Sequence, residues 1–535
     1  MRRRLLHRPL NHVGALLLGT ALLATACTPQ EQEDGNADDP PPEAGPEYPQ
    51  GPFQREGVSG SNSPFHSTFR VDEVVVHPDR TVLHFTTIPA RDTLANGGYG
   101  GGLIGDLATA PVDLRLIDPV EQRFYEPSTD DGVFNGSVLP DGVANDVEYR
   151  MQVHFPPLEQ GTERVTVLSG GTQGAFTGIP VTRDESPWEA GPEPEEPPYY
   201  GYIEEGEEIT VAVNGGDVPE EGTDLYSIVE TTERVQESST TEHRVDLDTD
   251  VLFAFDESEL SEEATEVLDE VADQTREQAD PELPPITIVG HTDGVGEDDY
   301  NRTLSEERAQ AVLEYLETAL GSDYEYVAEG RGSDEPLFTE GGSDDEEARE
   351  RNRRVEIGYN VLRTETETST AEQESTEQGT GTAIAPPAPF DERNDEPIAT
   401  ATGTTGQRVD YTLEVFSLRR DGAFVLVDVA LTNDSDRSIS GAFGSGFWTS
   451  GKQGGNFSGF GVVDPGTGAV YRSLRVGERA GDGEDIYVEP ESFPYLRESG
   501  ETNRIPLYFP APPLGVDTLD LEAGVFGTLE GLPLE

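Results

Sequence analysis

The sequence predicts a multidomain protein in which a central α/β module lies between two all-β modules. Polar tracts rich in Pro, Glu and Thr divide the 535 residues into modules, since such tracts cannot bury a core. In the middle of the chain, strand-like apolar runs alternate with apolar residues at helical spacing. Both outer parts instead carry short alternating apolar runs separated by Gly, Asp, Asn and Pro. We therefore predict a β-α-β-α-β module with a mixed sheet, flanked by two β-sandwich modules.

Composition shifts set the predicted boundaries. In chain order the segments are an export signal over 1–26, a disordered acidic and Pro-rich tether over 27–63, a β-sandwich over 64–182, an acidic linker with short strands over 183–244, the central module over 245–361, a Thr/Glu/Pro-rich linker over 362–407 and a second β-sandwich over 408–535.

The first residues have the pattern of an export signal. Four arginines within the first eight residues precede an apolar run from Val13 to Ala26, and Cys27 follows small residues. This resembles a bacterial lipoprotein signal, which implies acyl chains on Cys27 as the membrane anchor. An ordinary signal peptide with a nearby cysteine is the alternative. The location expected from the signal is extracytoplasmic, on a membrane of the cell envelope.

The charge and cysteine content exclude several classes of protein. A formal net charge of −71 repels nucleic acid, so we expect no nucleic-acid partner. We interpret the acidity as adaptation to salt, and acidic disordered linkers as the alternative source of part of it. One cysteine allows neither an intramolecular disulfide nor a cysteine metal cluster. We find no signature of an enzyme, a cofactor or a metal site.

The two outer modules resemble each other in sequence. Asp118-Pro119 precedes Tyr125 as Asp464-Pro465 precedes Tyr471, and two further short matches follow in the same order. We interpret this as a distant duplication. The run Val425–Asn433 resembles immunoglobulin-like envelope domains, which implies a sandwich fold and no chemistry.

In the central module, periodicity predicts each element in turn. A strand over Val251–Phe255 is followed by a helix that carries Ala264, Val267, Leu268, Val271 and Ala272. A second helix carries Ala309, Val312, Leu313 and Leu316, and Thr303–Glu306 is predicted to be the capping box at its start. The remaining strands are predicted over 286–289, 324–328 and 355–359.

Asp293 and Arg308 are the candidate binding residues. Asp293 follows a predicted strand and enters a Gly-containing loop, and Arg308 lies in the next helix. A carboxylate beside a guanidinium can hold a zwitterion, because arginine forks onto a carboxylate while the acid accepts an ammonium. The alternatives are that Asp293 caps its turn and that Arg308 forms a surface ion pair with Glu306 or Glu307.

Five motifs in order resemble the OmpA-like peptidoglycan-binding domain. They are V-L-F-A-F-D, G-H-T-D, Y-N-x-x-L-S-x-x-R-A, G-R-G-S-D-E-P and N-R-R-V-E-I, at 251, 290, 300, 330 and 352. The resemblance implies that Asp293 and Arg308 clamp the free amino-acid end of diaminopimelate in the stem peptide. It also places Thr292, Asn301 and Arg353 in the site, and Asn352 is expected either there or bonded to the loop backbone. Ser258 departs from an Asn found in some members of the family.

Two functions are compatible with these observations. The first is a non-catalytic, lipid-anchored protein that binds peptidoglycan and tethers membrane to wall. The second is an envelope scaffold whose β-sandwich modules bind a protein or surface ligand, while the central module only locates it. An exposed aromatic patch around Phe443, Phe447, Trp448 and Phe457 would favour the second function.

Overall fold

The computed structural model describes most of the chain from residue 46 onward as one compact unit, Pro46–Glu535. The described residues are 46–59, 65–90, 114–130, 133–137, 145–191, 206–283, 285–341, 345–362, 384–406, 408–436, 457, 459–479, 485–490 and 498–535. The predicted signal, Cys27 and most of the tether lie outside them, as do Phe443, Phe447 and Trp448.

The N-terminal module has two mainly antiparallel sheets, connected by one parallel pair of strands, that share one apolar core. Its strands are β1 (Phe53–Ser59), β2 (Phe65–His77), β3 (Arg80–Pro89), β4 (Arg115–Asp118), β5 (Arg123–Tyr125), β6 (Thr129–Asp130), β7 (Val133–Phe134), β8 (Gly136–Ser137), β9 (Glu148–Phe155), β10 (Arg164–Leu168), β11 (Ala175–Arg183), β12 (Glu208–Thr210) and β13 (Val213–Asn214). The sheet orders are β1-β2-β3-β9 and β5-β4-β10-β11. Because β1 precedes residue 64, the ordered module begins earlier than predicted.

The central module combines a mixed sheet with helices on one face. Its elements are β14 (Thr223–Glu230), β15 (Arg234–Ser238), β16 (Glu242–Asp248), α1 (Thr249–Leu252), α2 (Glu262–Gln278), β17 (Ile286–His291), α3 (Asp298–Leu320), β18 (Tyr326–Gly332), α4 (Asp345–Asn352) and β19 (Arg354–Asn360). The order is β14-β15-β16-β19-β17-β18, in which β17 and β18 are parallel and the other neighbours antiparallel. Val245, Leu247, Ile288, Val355 and Ile357 face the core that the helices cover.

Two local predictions for this module are wrong. The predicted strand over Val251–Phe255 is replaced by α1, because the Asp248 carboxylate caps a helical turn there and accepts a hydrogen bond from Asp250 N. The strand that precedes the first helix of the module lies upstream, in β16. The predicted capping box at Thr303–Glu306 lies inside α3, which begins at Asp298 with Glu297 as its N-cap.

The C-terminal module repeats the strand pairing of the N-terminal one. Its strands are β20 (Ala399–Thr404), β21 (Asp410–Asp421), β22 (Phe424–Asn433), β23 (Phe460–Val463), β24 (Val470–Val476), β25 (Ile486–Tyr487), β26 (Thr502–Pro510), β27 (Thr518–Ala523) and β28 (Thr528–Pro533), with a 3₁₀ turn over Gly524–Phe526. The orders β20-β21-β22-β26 and β24-β23-β27-β28 match β1-β2-β3-β9 and β5-β4-β10-β11 strand for strand. The immunoglobulin-like character of both modules stays a prediction.

Strand β14 connects the three modules through backbone hydrogen bonds. Its first residues pair with β5, and its remainder pairs with β24 on one side and β15 on the other. β5 and β24 are corresponding strands of the two repeated modules. The central sheet therefore continues through β14 into the C-terminal module.

Parts of the two predicted linkers are ordered structure. Residues 223–238, predicted to belong to an acidic linker with short strands, form β14 and β15, in which Leu225 and Ile228 are buried. Phe390, in the predicted linker 362–407, packs into the N-terminal core against Phe53 and Phe176. Phe457 is fully buried, so it does not contribute to the exposed aromatic patch that the second function would use.

Three buried histidines make the stability of the fold depend on pH. Burial lowers the pKa of His154 to about 3, of His243 to about 4 and of His291 to about 3. His243 stacks on Tyr359, with ring centroids 5.1 Å apart, and its Nε2 has no hydrogen-bond partner among the residues described. The unfolded chain therefore binds more protons than the folded chain as pH falls below about 6.5.

We predict that the unfolding free energy falls as pH drops from about 6.5 to about 4, and that His243→Phe reduces this slope. The phenylalanine keeps the ring on Tyr359 and removes one proton-binding group, so the slope should decrease by up to about 1.4 kcal/mol per pH unit. Urea unfolding of residues 46–535 at a series of pH values measures it. Equal slopes for the two proteins would contradict the prediction, since the other histidines are common to both.

Candidate ligand-binding site

Asp293 lies where the chain leaves β17 and turns toward α3. Thr292 N donates to Gly332 O at 2.9 Å, and its hydroxyl donates to Asp293 O at 3.0 Å. One oxygen of the Asp293 carboxylate accepts from Val295 N at 3.0 Å, which caps the turn. The other accepts from the Arg353 guanidinium at 3.0 Å. Asp293 therefore both shapes the loop and presents a charged oxygen in an ion pair.

Three polar side chains hold the loop that carries Asp293. Asn301 is buried, and its amide donates to Val295 O at 3.2 Å. Glu340 accepts from Gly294 N and from the Asn352 amide, each at 2.9 Å. Asn352 also exchanges hydrogen bonds with the backbone of Phe338, as one sequence interpretation expected. Asn301 thus braces the loop, and Glu340 is a site residue that sequence reasoning missed.

Arg353 links two carboxylates at the edge of the site. Its guanidinium donates to Asp293 at 3.0 Å and to Asp250 at 2.8 Å. Burial works to lower the pKa of Arg353, but the hydrogen bonds and charges of these two carboxylates raise it well above its usual value. Asp250 was not predicted to be a site residue, because a strand was expected to begin directly after it.

Arg308 extends from α3 into the site, and most of its N–H groups donate no hydrogen bond to the described residues. Its Nε donates to Glu257 O at 3.0 Å, and its guanidinium lies 5.2 Å from the centre of the Phe253 ring. Burial lowers the pKa of Arg308, which the nearby Asp250 partly offsets. Across the described parts of the chain, Arg308 forms no ion pair, so the alternative in which it pairs with Glu306 or Glu307 is not observed. Its two terminal nitrogens are therefore available to a carboxylate.

A short turn beside Arg308 exposes apolar surface. Glu257 N bonds to Ala254 O at 3.1 Å, and Asp256 takes a left-handed conformation with φ of 64°. The Tyr300 hydroxyl donates to the Asp256 carboxylate. Phe255, between these anchors, is 95% exposed, whereas large apolar side chains are rarely exposed so fully. The Ser258 hydroxyl lies 3.4 Å from a Glu307 oxygen, so it has a local partner.

Four of the five predicted site residues are linked by hydrogen bonds, and the fifth, Arg308, lies beside them. Thr292, Asp293, Asn301 and Arg353 are joined by hydrogen bonds, directly or through the loop backbone. Neither a hydrogen bond nor an ion pair joins Arg308 to these four residues, yet the charges of Asp250 and Arg353 both shift its pKa. The arrangement can bind a zwitterion whose carboxylate meets Arg308 and whose ammonium meets the Asp293 and Asp250 carboxylates.

Two motif glycines let α3 approach the sheet closely enough to place Arg308. A Cβ on Gly290 would lie 2.1 Å from Ser305 O, and one on Gly330 would lie 2.4 Å from Glu306 N. Side chains there would push α3 outward. This explains the glycines of two of the five motifs by packing, without a role in ligand contact.

The described residues show neither a membrane-crossing helix nor a cluster of metal-binding side chains. No helix among them is long and apolar enough to span a bilayer. Likewise, no group of three or more His, Cys, Asp or Glu residues in that part of the chain could hold a metal ion.

Comparisons with known proteins place a recognised domain at this site. Residues 252–353 match the model of the OmpA family. Outer membrane protein A of Bordetella avium is 39% identical over 114 residues, which are 21% of this chain and 56% of that protein. Photosystem I P700 chlorophyll a apoprotein A2 of Gloeobacter violaceus is 36% identical over 118 residues, which are 22% of this chain and 13% of that protein. The matched part of the chain thus spans little more than half of the first relative and a much smaller part of the second.

A solved structure is similar to a comparable share of the chain. "The structure of the cell wall anchor of the T6SS from Pseudomonas aeruginosa" is 30% identical, covers 24% of this chain and 88% of that chain, and has a TM-score of 0.21.

We predict that Gly290→Ala destabilises the protein by about 1–3 kcal/mol, because the added methyl group overlaps Ser305 O and must displace α3. Urea unfolding measures the loss. Gly191→Ala is the matched control, since no heavy atom lies within 4 Å of a Cβ at that position. Equal stability of the two variants would contradict the close approach of α3 to the sheet.

Proposed function

Because the chain contains an OmpA-family domain at residues 252–353, we propose that it is a non-catalytic cell-envelope protein that binds peptidoglycan and tethers a membrane to the wall. The ligand group is the free amino-acid end of diaminopimelate in the stem peptide. The observation that carries the proposal is Arg308, a buried guanidinium beside Asp250 and Arg353 whose terminal nitrogens have no partner among the described residues.

The chemistry of diaminopimelate fits the charges of the site. Its free end has one carboxylate and one ammonium on the same carbon. The carboxylate accepts two parallel hydrogen bonds from Arg308, and the ammonium shares the Asp293 and Asp250 carboxylates with Arg353. A stem-peptide residue that offers only a carboxylate or only an ammonium lacks one of these partners and leaves a desolvated charge unpaired.

Arg308, Asp293 and Asp250 form the proposed clamp, and the surroundings of this clamp suit a polymeric ligand. One zwitterion in an open site gives weak binding, with a Kd on the order of 10⁻⁴ to 10⁻⁶ M. Many anchored copies facing a polymer gain strength through effective concentration. The exposed Phe255 and the half-exposed Tyr300 offer apolar surface to the parts of the polymer beyond the zwitterion.

Membrane attachment is proposed to be through lipid on Cys27. The support is the arginine-rich start, the short apolar run and the cysteine that follows it. The protein would then lie outside the cytoplasm, anchored in an envelope membrane. Its partners would be peptidoglycan and lipid, with no nucleic acid.

We predict that residues 46–535 pellet with diaminopimelate-type peptidoglycan and that Asp293→Asn and Arg308→Gln each lower the affinity at least tenfold. Each change removes one charge that the bound zwitterion would otherwise pair, a loss of about 2–5 kcal/mol for a buried charge pair. Asparagine keeps the oxygen that caps Val295 N, so the loop retains its shape. Co-sedimentation over a range of peptidoglycan concentrations measures the affinity.

The control for this experiment is Arg276→Gln, which removes an exposed arginine that pairs with Asp273 on α2. It should pellet like the unaltered protein, and free meso-diaminopimelate should compete with both. Folding of each variant is checked by circular dichroism. If the folded Asp293 and Arg308 variants pellet as the control does, diaminopimelate is not held by this clamp.

We further predict that Cys27→Ser moves the full chain from the membrane fraction to the soluble envelope fraction, because the thioether that carries the acyl chains cannot form. Cell fractionation and labelling with a radioactive fatty acid measure this. A labelled, membrane-bound Cys27→Ser protein would overturn the lipid anchor, while the affinity of residues 46–535 for peptidoglycan is independent of it.

A further inference from the structure

The central sheet has a second face, opposite the helices, that carries charged residues. Val245 and Leu247 of β16 face the helix side, so Arg244 and Asp246 lie on the other face. The same alternation places Arg354 and Glu356 of β19 on that face. Residues of the C-terminal module cover it.

Arg479, just after β24, is surrounded by three carboxylates of the central module. Its guanidinium nitrogens lie 2.6 Å from a Glu237 oxygen, 3.0 Å from an Asp246 oxygen and 3.3 Å from a Glu356 oxygen. Arg475 of β24 pairs with Glu237 at 2.8 Å, and both of their side chains are 1% exposed. Salt screens such pairs little, and removal of one partner leaves a buried unpaired charge.

A second ionic bridge reaches the end of α4. Glu230, the last residue of β14, pairs with Arg351 of α4 and with Arg472 of β24, the latter at 2.9 Å. Arg472 also pairs with Glu522 of β27 at 2.9 Å. Glu230 therefore links α4 to β24, and Arg472 extends the bridge to β27.

These two bridges flank Arg353. Arg351 is bound through Glu230, and Glu356 is bound both to Arg479 and, at 2.7 Å, to Arg354. Between them Asn352 holds Glu340 and the Asp293 loop, and Arg353 holds Asp293 itself. The segment that positions the clamp is thus fixed on both sides by the C-terminal module.

We propose that the C-terminal module positions Arg353 and the Asp293 loop through Glu230, Arg472 and Arg479, so that its docking sets the affinity of the clamp. The inference rests on the proposed peptidoglycan function and deepens it with a regulatory element outside the OmpA-family domain. Arg472 and Arg479 are positioning residues, since neither touches the ligand. Coupling between two sites is reciprocal, so a bound ligand also strengthens the docking.

The test uses Arg472→Gln in residues 46–535. Arg472 is 11% exposed, and Glu230 keeps Arg351 as a partner when it is removed, so the fold is less endangered than by loss of Arg479. The probe is a purified disaccharide tetrapeptide that contains meso-diaminopimelate. We expect calorimetry to show binding weakened by about 3- to 10-fold.

Arg504→Gln is the matched control. Arg504 of β26 pairs with Asp428 of β22 at 2.9 Å, with side chains 15% and 14% exposed, but both residues belong to the C-terminal module. Its loss should change probe affinity by less than about twofold. If Arg472→Gln binds like the unaltered protein, or Arg504→Gln weakens binding equally, positioning by the module is wrong.

Hydrogen exchange on the unaltered protein is a second test of the coupling, and it does not require a variant to fold. If docking and binding are coupled, saturating probe slows amide exchange in β14 and over residues 470–479, away from the clamp. Unchanged exchange there, with the probe bound, overturns the inference while the proposed function stands. If the unaltered protein binds no probe, the proposed function fails and this inference fails with it.

Discussion

Backbone hydrogen bonding by β14 holds the modules of this protein together. A strand has two edges, and an unpaired buried edge leaves amide and carbonyl groups without partners. β14 meets that requirement with β24 along one edge, and with β5 and then β15 along the other. Since β5 and β24 are corresponding strands of two repeated modules, β14 pairs with the same strand of each repeat. The OmpA-family domain is thereby extended into a sheet that includes the C-terminal module.

The charges of the protein serve different purposes on its surface and in its interior. The net charge of −71 makes the surface acidic, which we interpret from the sequence as adaptation to salt. In the interior, arginines are matched to carboxylates at module contacts and at the clamp, where burial makes an unmatched charge costly. Arg308 is the exception that points to a ligand, because it is buried and its terminal nitrogens have no partner in the part of the chain that the structure describes.

The candidate site was predictable in part, and the misses have physical causes. Asp293, Arg308 and Arg353 were singled out by the motifs that resemble the OmpA-like domain, and a carboxylate beside a guanidinium suits a zwitterion. Asp250 was missed because the sequence indicated a strand where Asp248 instead caps α1. Glu340 reaches the Asp293 loop across a long stretch of chain, and no local pattern reveals such a contact. Asn301, predicted to line the site, is buried and donates a hydrogen bond to the loop backbone at Val295 O.

Elements that depend on local periodicity and turns could be read from the amino-acid order alone. α2, β17, the core-facing residues of α3 and the alternating strands of both outer modules are of this kind, since burial of every second or every third to fourth residue shows in the pattern. The contacts between modules could not be read in this way and became visible in the folded chain. The pairing of β14, the insertion of Phe390 into the N-terminal core and the carboxylates around Arg479 join residues distant in sequence, and their partners are chosen by packing and charge after the local elements have formed.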